Sequence, residues 1–335
     1  ETVTQTRKYT FGGKHPEMDE QNKEAFESGI SWTQEQDLEI KGFFEPGSSE
    51  KNMAIDGNSA IAAGAVSAGV KFCSFYPMTP ATSIVLGLIK AHKKAGIEVL
   101  QVEDEIAAIN MAAGAAFAGA PAMCATSGGG FALMTEGVSL LGITETPLVI
   151  AVAQRPGPAT GLPTRTEQAD LMFVLHGGHG EFPRAVFAPS SIKDCFELTR
   201  KAFELADLYQ GPVFILTNQY LADSIRSVPA FDTSGVEPVC PVIASEDEIE
   251  TPYKRFAFTD SGVSPRMVPG RTEHLVVADS DEHTEDGHIT EDLDVRVKMV
   301  DKRRRKEAGY REKFVPPSLI GEESPDLLFV TWGSV

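Results

Sequence analysis

Short apolar runs alternate with longer segments of small residues from Asn52 onward. Runs such as Leu148–Val152 (LVIAV) are continuously apolar, which is typical of parallel strands covered on both faces. Six strands are predicted, at Lys71–Phe75, Glu98–Val102, Ala122–Ala125, Pro147–Ala153, Arg184–Phe187 and Pro212–Thr217. Helices are predicted at Ser59–Ala68, Ala81–Lys94, Glu105–Ala118, Phe131–Leu141, Gln168–Leu175 and Ile192–Ala206. This alternation predicts an α/β domain, with a parallel six-stranded sheet and helices on both faces.

The regions that flank this domain have a different composition. Residues 1–53 are polar and lack an apolar period, so we expect an N-terminal arm or linker. Residues 226–325 are rich in Pro, Asp, Glu and Arg and are expected to form a long excursion packed on the core or on a partner. Within it, the pattern allows short strands at Phe256–Phe258 and Leu275–Val277 and predicts a charged helix around Glu291–Lys306. The expected division is 1–53 for the arm, 54–225 for the α/β domain, 226–325 for the excursion, and 326–335 for a strand and turn that begin a truncated further domain.

The overall charge restricts the possible partners. The 335 residues carry a net charge of −18, which argues against nucleic acid as a partner because phosphate binding draws on clustered Lys and Arg. No apolar run reaches the ~18 residues of a membrane span, and the first 30 residues lack a signal-peptide core, so a cytoplasmic protein without membrane attachment is expected. The basic run Lys302–Lys306 is expected to be a solvated helix face.

Cysteine and histidine positions do not indicate a metal centre in this chain. The four cysteines are widely spaced without a CxxC pair, so neither an iron–sulfur cluster nor a zinc knuckle is expected, and the thiols are expected to be reduced. His283 and His288 lie in an acidic stretch without recognised metal-ligand spacing, so a structural or solvated role is favoured.

Polar residues that follow the predicted strands are the candidate chemistry, because ligands on parallel sheets bind at the carboxyl ends of strands. Tyr76–Pro80 (YPMTP), Glu103–Glu105 and Thr126–Gly130 (TSGGG) occupy such positions. The glycines would let a ligand approach the backbone, although a tight turn explains them equally well. Glu105 starts a helix, where an acid can simply stabilise the helix dipole by about 0.3–1 kcal/mol. Its predicted neighbours Thr79, Ser127 and Arg155 favour a ligand-binding carboxylate with a raised pKa.

Two arginines flank the loop Pro156–Thr164 (PGPATGLPT). A guanidinium at a strand end near a hydroxyl can hold a carboxylate by paired hydrogen bonds, which makes Arg155 and Arg165 candidate substrate-binding residues. The alternative for both is an ordinary surface arginine.

Several segments together resemble the α subunit of 2-oxoacid:ferredoxin oxidoreductases, most closely the 2-oxoglutarate (KorA-type) members. The resemblance is carried by Gly57-Asn58, Tyr76–Pro80, Glu103–Ala120, Thr126–Gly130, Gly161–Gln168 (GLPTRTEQ) and Ser280–Glu291 (SDEHTEDGHITE). It implies that the α/β domain binds the aminopyrimidine ring of thiamine diphosphate.

The resemblance also implies roles for individual residues. Glu105 matches the acid that bonds N1′ of the ring, promotes the imino tautomer and so lets the cofactor deprotonate its own thiazolium carbon; Glu103 is the rival for this role. Thr79 and Arg155 match the residues that hold the 2-oxoacid carboxylate, and Arg165 is extrapolated to the second carboxylate of 2-oxoglutarate. The residues expected to shape the pyrimidine pocket are Tyr76, Pro77, Ser127 and Gly128.

The family pattern also includes motifs that this chain lacks. It contains neither the GDG nor the NN that hold Mg²⁺ and diphosphate, so the resemblance implies a β subunit with that site and a 4Fe–4S cluster, in an (αβ)2 assembly that uses coenzyme A and ferredoxin. The arm would then be the tail of a fused γ domain. Alternatives are specificity for pyruvate or a branched-chain 2-oxoacid, a non-catalytic assembly module, and a different thiamine enzyme such as a transketolase-like half.

Overall fold

The structure is a computed structural model that describes residues 2–11, 16–36, 52–234, 237–239, 241–322 and 324–335. The chain divides into two compact units, Glu1–Glu50 and Lys51–Val335. Part of the predicted arm, residues 37–51, and Cys240 lie outside the described residues.

The first unit contains two helices, α1 (Thr2–Phe11) and α2 (Pro16–Glu35). The lack of an apolar period did not predict these two helices. An ion pair between Arg7 and Asp19 joins the two helices. The sequence of α2 is rich in Glu, Gln and other residues with good helix propensity, and a helix that is polar all round gives no apolar period to detect.

The second unit is built on a parallel sheet, and the predicted fold class is confirmed. Its six strands are β2 (Phe72–Phe75), β3 (Glu98–Gln101), β4 (Ala122–Thr126), β5 (Leu148–Gln154), β6 (Ala185–Phe187) and β7 (Pro212–Asn218). They lie in the order β3-β2-β4-β5-β7-β6 and every neighbouring pair is parallel. The order in which strands are added reverses at β2, because β3 lies on one side of it and β4 on the other. Such a switch point opens a crevice at the carboxyl ends of the strands.

Helices cover both faces of this sheet. They are α3 (Gly57–Ala68), α4 (Thr82–Ala95), α5 (Glu105–Phe117), α6 (Gly128–Ile143), α7 (Leu171–His176), α8 (Ile192–Tyr209) and α9 (Gln219–Asp223). One apolar cluster includes Ile61 and Phe203 from α3 and α8, and a second includes Ile109 and Phe131 from α5 and α6. The central strands β4, β5 and β7 are buried along their whole length, and strands covered on both faces are typically rich in apolar residues.

The excursion packs against the core domain. It starts with β8 (Arg226–Pro229), which pairs antiparallel with β1 (Asn52–Ile55), and ends with α10 (Leu293–Glu312). The strands allowed at Phe256–Phe258 and Leu275–Val277 are absent, so that prediction is wrong. The first segment is held instead by Glu285, whose backbone carbonyl accepts from Phe256 N at 2.8 Å and whose carboxylate accepts from Phe258 N at 3.0 Å.

The basic run on α10 is buried in part, which corrects the expectation of a solvated face. Lys302, Arg303 and Lys306 are at most 3% exposed. Lys302 and Lys306 both pair with the carboxylate of Glu145, and Arg303 donates to Glu282 at 2.8 and 3.0 Å. The charges are buried because acids from other segments neutralise them, a relation that the sequence of the helix does not reveal.

His283 has a structural environment. It is fully buried, its ring nitrogens lie 3.1 and 3.2 Å from the carbonyls of Ile143 and Thr284, and its ring packs on Phe256. Across the described residues, no group of three His, Cys, Asp or Glu side chains could hold a metal ion. None of the helices described is both long and apolar enough to cross a bilayer.

The last segment does not form the predicted strand. Leu327–Val330 is exposed and pairs with none of the described strands, although a strand needs such a partner for its backbone groups. Trp332 packs against the cluster on the α5 and α6 side, and Ser334 accepts a hydrogen bond from Asn218 Nδ2 at 2.7 Å. A turn at Gly333 and Ser334 is present as predicted.

Candidate active site

The loops that follow β2, β4 and β5 meet at the switch point of the sheet. Arg155 Nη1, just after β5, donates to the carbonyl of Thr79 in the loop after β2 at 2.6 Å. The Thr126 hydroxyl at the end of β4 lies 3.9 Å from the sulfur of Met78 in the same loop. The structure thus brings together three of the segments that the sequence marked as candidate chemistry.

Glu105 is the buried acid of this crevice. It is the first residue of α5, directly after Asp104, whose carboxylate caps the helix by accepting from Ala107 N at 2.7 Å. Because Asp104 already caps the helix, the Glu105 side chain is not needed for that purpose. Glu105 is 2% exposed, and its Oε1 has no hydrogen-bond partner in the described part of the chain.

The electrostatic environment favours the neutral form of this acid. Burial raises the pKa of the Glu105 carboxyl, and the charge of Asp104 adds to that rise. A backbone hydrogen bond and the charge of Arg155 oppose it without cancelling it. A carboxyl with a raised pKa in a crevice is suited to exchanging a proton with a ligand.

The glycines after β4 make room for two carboxyl groups. A Cβ at Gly130 would collide with the Glu105 carboxylate and the Thr126 hydroxyl, and a Cβ at Gly128 would lie 2.5 Å from Asp170 Oδ2. The TSGGG sequence is therefore more than a tight turn, because a side chain at either position would displace a buried acid. Ser127 between them is fully buried, and its Oγ is without a partner among the described residues.

The rival acid has a different environment. Glu103 is exposed to solvent, whereas Glu105, two residues later, points into the crevice beside Gly130. A solvated carboxylate has its hydrogen bonds satisfied by water, so it has no need of a ligand. The geometry favours Glu105 for contact with a bound heterocycle.

Of the three candidate substrate-binding residues, the fold brings Thr79 and Arg155 into contact but not Arg165. The Thr79 side chain is exposed at the mouth of the crevice, and Arg155 is 8% exposed beneath it. Tyr76 and Pro77 are exposed on the same loop. Arg165 is exposed further along the loop after β5, where its Nη1 donates to the carbonyl of Thr164 at 3.1 Å, and it forms no hydrogen bond or ion pair with Thr79, Glu105 or Arg155.

Two polar residues of the site were not assigned roles from the sequence. Asn58 is fully buried and donates to the carbonyl of Pro80 at 2.7 Å. Asp170 accepts no bond at its buried Oδ2, its pKa is raised by burial and by Glu167, and its backbone N–H donates to Gln154 Oε1 at 2.9 Å. The available signal was the Gly57-Asn58 pair for the first, and an acid at the start of an apolar helix for the second.

Comparison with known proteins agrees with this geometry. The family described as "Pyruvate flavodoxin/ferredoxin oxidoreductase, thiamine diP-bdg" matches residues 63–302, which include the loops after β2, β4 and β5. The chain belongs to this family. The matched residues contain Glu105, the glycine turn and Arg155, so the family shares the part of the fold in which the buried acid lies.

Individual members of the thiamine-diphosphate-binding family are similar over most of the chain. The α subunit of 2-oxoacid:ferredoxin oxidoreductase 1 from Sulfurisphaera tokodaii is 40% identical over 317 residues, covering 89% of this chain and 50% of that protein. The KorA subunit of 2-oxoglutarate synthase from Archaeoglobus fulgidus is 37% identical over 84% of this chain and 72% of its own length. This chain thus spans about half the length of the first of these relatives.

A solved structure of the same kind confirms the architecture. The 2-oxoglutarate:ferredoxin oxidoreductase from Magnetococcus marinus, solved with 2-oxoglutarate, coenzyme A and succinyl-CoA bound, superposes with a TM-score of 0.85 at 32% identity. The match covers 96% of this chain and 56% of that one.

Proposed function

We propose that this chain is the α subunit of a 2-oxoacid:ferredoxin oxidoreductase that converts 2-oxoglutarate and coenzyme A to succinyl-CoA, CO2 and reduced ferredoxin. The observation that carries the proposal is Glu105 Oε1, a buried carboxyl oxygen without a partner in the described chain, beside a turn whose glycines leave it room. Buried polar atoms are nearly always hydrogen-bonded, so an exception indicates a group that a ligand completes.

The crevice fits the aminopyrimidine ring of thiamine diphosphate. Glu105 would bond N1′ of the ring, while Tyr76, Pro77, Ser127 and Gly128 would form the walls around it. When bound, the cofactor supplies the electron sink for decarboxylation, and the protein supplies orientation and electrostatics. The raised pKa of Glu105, caused chiefly by burial, makes its carboxyl better suited than an ordinary exposed glutamate to hold or share a proton at that ring atom.

Thr79 and Arg155 would hold the 2-oxoacid carboxylate. The Arg155 side chain donates one N–H to the Thr79 carbonyl, and its other side-chain N–H groups make no hydrogen bond within the described residues. They can therefore meet a carboxylate, for which the planar guanidinium is well shaped. We extend the proposal to Arg165 as the group that meets the second carboxylate of 2-oxoglutarate. The names of the related proteins from Archaeoglobus fulgidus and Magnetococcus marinus support 2-oxoglutarate as the substrate.

The active site would be shared with a second polypeptide. The relatives are named as an α subunit and as a KorA subunit, which supports a multi-subunit complex. This chain contains neither GDG nor NN nor a CxxC pair. We therefore propose that a β subunit holds Mg²⁺, the diphosphate and a 4Fe–4S cluster, in an (αβ)2 complex in the cytoplasm.

Glu105→Gln in the assembled αβ complex tests the central role. We expect 2-oxoglutarate-dependent ferredoxin reduction to fall by about 10²- to 10⁴-fold, the usual effect of losing a group that exchanges a proton in the reaction. Glu103→Gln, a matched change at an exposed acid two residues away, should leave the rate unchanged. Equal rates for both variants and the wild type would contradict the role of Glu105.

Two further measurements separate the alternatives. Calorimetry with thiamine diphosphate should show weaker binding to the Glu105→Gln complex; binding that is indifferent to the change would support a non-catalytic module. The ratio of kcat/KM for 2-oxoglutarate over pyruvate should exceed one and fall in Arg165→Ala. A wild-type preference for pyruvate would count against the proposed role of Arg165.

A further inference from the structure

Two side chains hold successive backbone carbonyls in the loop after β2. Arg155 Nη1 donates to the carbonyl of Thr79 at 2.6 Å, and Asn58 Nδ2 donates to the carbonyl of Pro80 at 2.7 Å. The Thr79 side chain is exposed and makes no hydrogen bond within the described chain. The position of its hydroxyl is therefore set by what holds the backbone on either side of it.

Asn58 is firmly placed to act as one of these holders. It is the second residue of α3 and is fully buried. The start of α3 packs so closely on α9 that a Cβ at Gly57 would collide with the carbonyl of Leu221. Asn58 Nδ2 also lies 2.7 Å from the Oγ of Ser83, which is in the first turn of α4. Asn58 thus connects the starts of two helices to the loop.

The chemistry of the contact requires an amide donor at this position. The carbonyl of Pro80 can only accept a hydrogen bond, so the Asn58 side chain must present its NH2 group to it. A carboxylate of the same size would place an acceptor against an acceptor. Because Asn58 is fully buried, it acts on a bound substrate only through the loop.

We propose that Asn58 is a positioning residue for substrate recognition, one that fixes the Thr79–Pro80 backbone so that the Thr79 hydroxyl and the free N–H groups of Arg155 converge on a 2-oxoacid carboxylate. This inference rests on the proposed function. In this role the buried Asn58 amide aligns the Thr79 hydroxyl with the Arg155 N–H groups, which lie on a different loop. Misplacing such groups by about 1 Å can cost ~10²-fold in rate.

The first test is Asn58→Asp in the full-length chain assembled with its β subunit. We expect KM for the 2-oxoacid to rise by about tenfold to a hundredfold, with the Kd for thiamine diphosphate unchanged. Asn110→Asp is the matched control, because its Nδ2 also donates to a backbone carbonyl, that of Ile106 at 2.9 Å, on the exposed surface of α5. An equal loss of substrate and cofactor affinity would overturn the inference, since it would mean that the crevice as a whole is distorted.

The second test asks whether Asn58 acts through Thr79. Thr79→Val keeps the shape of the side chain and removes the hydroxyl. If Asn58 positions that hydroxyl, Asn58→Asp should raise KM much less in the Thr79→Val background than in the wild type. Additive effects would overturn the inference while leaving the proposed function intact. An unchanged KM in Thr79→Val alone would overturn both the substrate contact and the positioning role.

A third variant guards against a folding defect. If the buried carboxyl of Asn58→Asp prevents folding, Asn58→Ala removes the donor without adding a charge. The same rise in KM with unchanged cofactor affinity is expected in Asn58→Ala, and the same double-variant comparison applies. A folded Asn58→Ala complex with wild-type KM would refute the positioning role.

Discussion

Glu105 and Glu145 are both almost completely buried, with 2% and 1% of their surfaces exposed, but their surroundings are opposite. Glu145 pairs with Lys302 and Lys306 beneath α10, and Arg255 donates to its backbone carbonyl. Glu105 faces a glycine turn, and its Oε1 has no hydrogen-bond partner in the described part of the chain. One acid forms ion pairs with two lysines, and the other forms no ion pair with the described residues.

The pKa values of the two acids shift in opposite directions because of this difference. Burial alone would raise the pKa of both carboxyls. At Glu145 the charges of Lys306, Lys302 and Arg255 outweigh burial and hold the pKa well below its ordinary value. At Glu105 burial prevails over the weaker influence of Arg155, and the pKa is raised. Burial by itself therefore does not distinguish a structural acid from a functional one; the counter-charges do.

The largest expected effect is the loss of stability in Glu145→Gln. Removing this carboxylate leaves Lys302, Lys306 and Arg255 close together without a counter-charge, and breaking such a buried pair costs about 3–5 kcal/mol. Urea unfolding of the wild-type and variant chains measures the change. A loss below about 1 kcal/mol would show that the cluster is not the electrostatic anchor of α10.

Acid sensitivity should follow from the same cluster. The lowered pKa of Glu145 means that its stabilising contribution is fully present above its unfolded-state value and is lost as the pH falls below about 4.5. The unfolding free energy should therefore fall between pH 5 and pH 3 more steeply in the wild type than in Glu145→Gln. Parallel curves for the two proteins would contradict the assignment. The sign is opposite at Glu105, whose raised pKa makes its ionised form a cost at neutral pH.

The smallest expected effect is the change of stability in Glu105→Gln. This substitution removes a buried acid that has no counter-charge in hydrogen-bond contact, so the unfolding free energy should stay within about 1 kcal/mol of the wild type, or rise slightly. Thermal unfolding of the chain without cofactor measures it. The predicted contrast is that Glu145→Gln loses stability, whereas Glu105→Gln loses turnover. A large destabilisation by Glu105→Gln would remove the distinction between the two acids.

The sequence predicted most of the central domain because its signal is local. Continuously apolar runs such as Leu148–Val152 mark strands that are buried on both faces, and all six predicted strands were found with their ends shifted by single residues. The helices α1 and α2 were missed because they bury no regular apolar stripe. The buried lysines of α10 were misjudged because their partner Glu145 lies far away in sequence.

The convergence of the candidate segments could be predicted for a related reason. Strand ends in a parallel sheet meet at one edge, so Thr79, Glu105 and Arg155 were expected to lie close together. Asn58 and Asp170 received no role, because their importance lies in contacts to Pro80 O and Gly128 that only the folded chain creates.

By itself the sequence determined the class of fold and the convergence of the segments that carry Thr79, Glu105 and Arg155, since strand periodicity and strand-end position are properties of neighbouring residues. The tertiary structure decided which charges are paired. It placed Lys302 and Lys306 against Glu145 and left Glu105 Oε1 beside glycines, without a partner among the described residues. Pairing depends on distances between segments remote in sequence, so only the folded chain decides whether a buried acid meets a counter-charge.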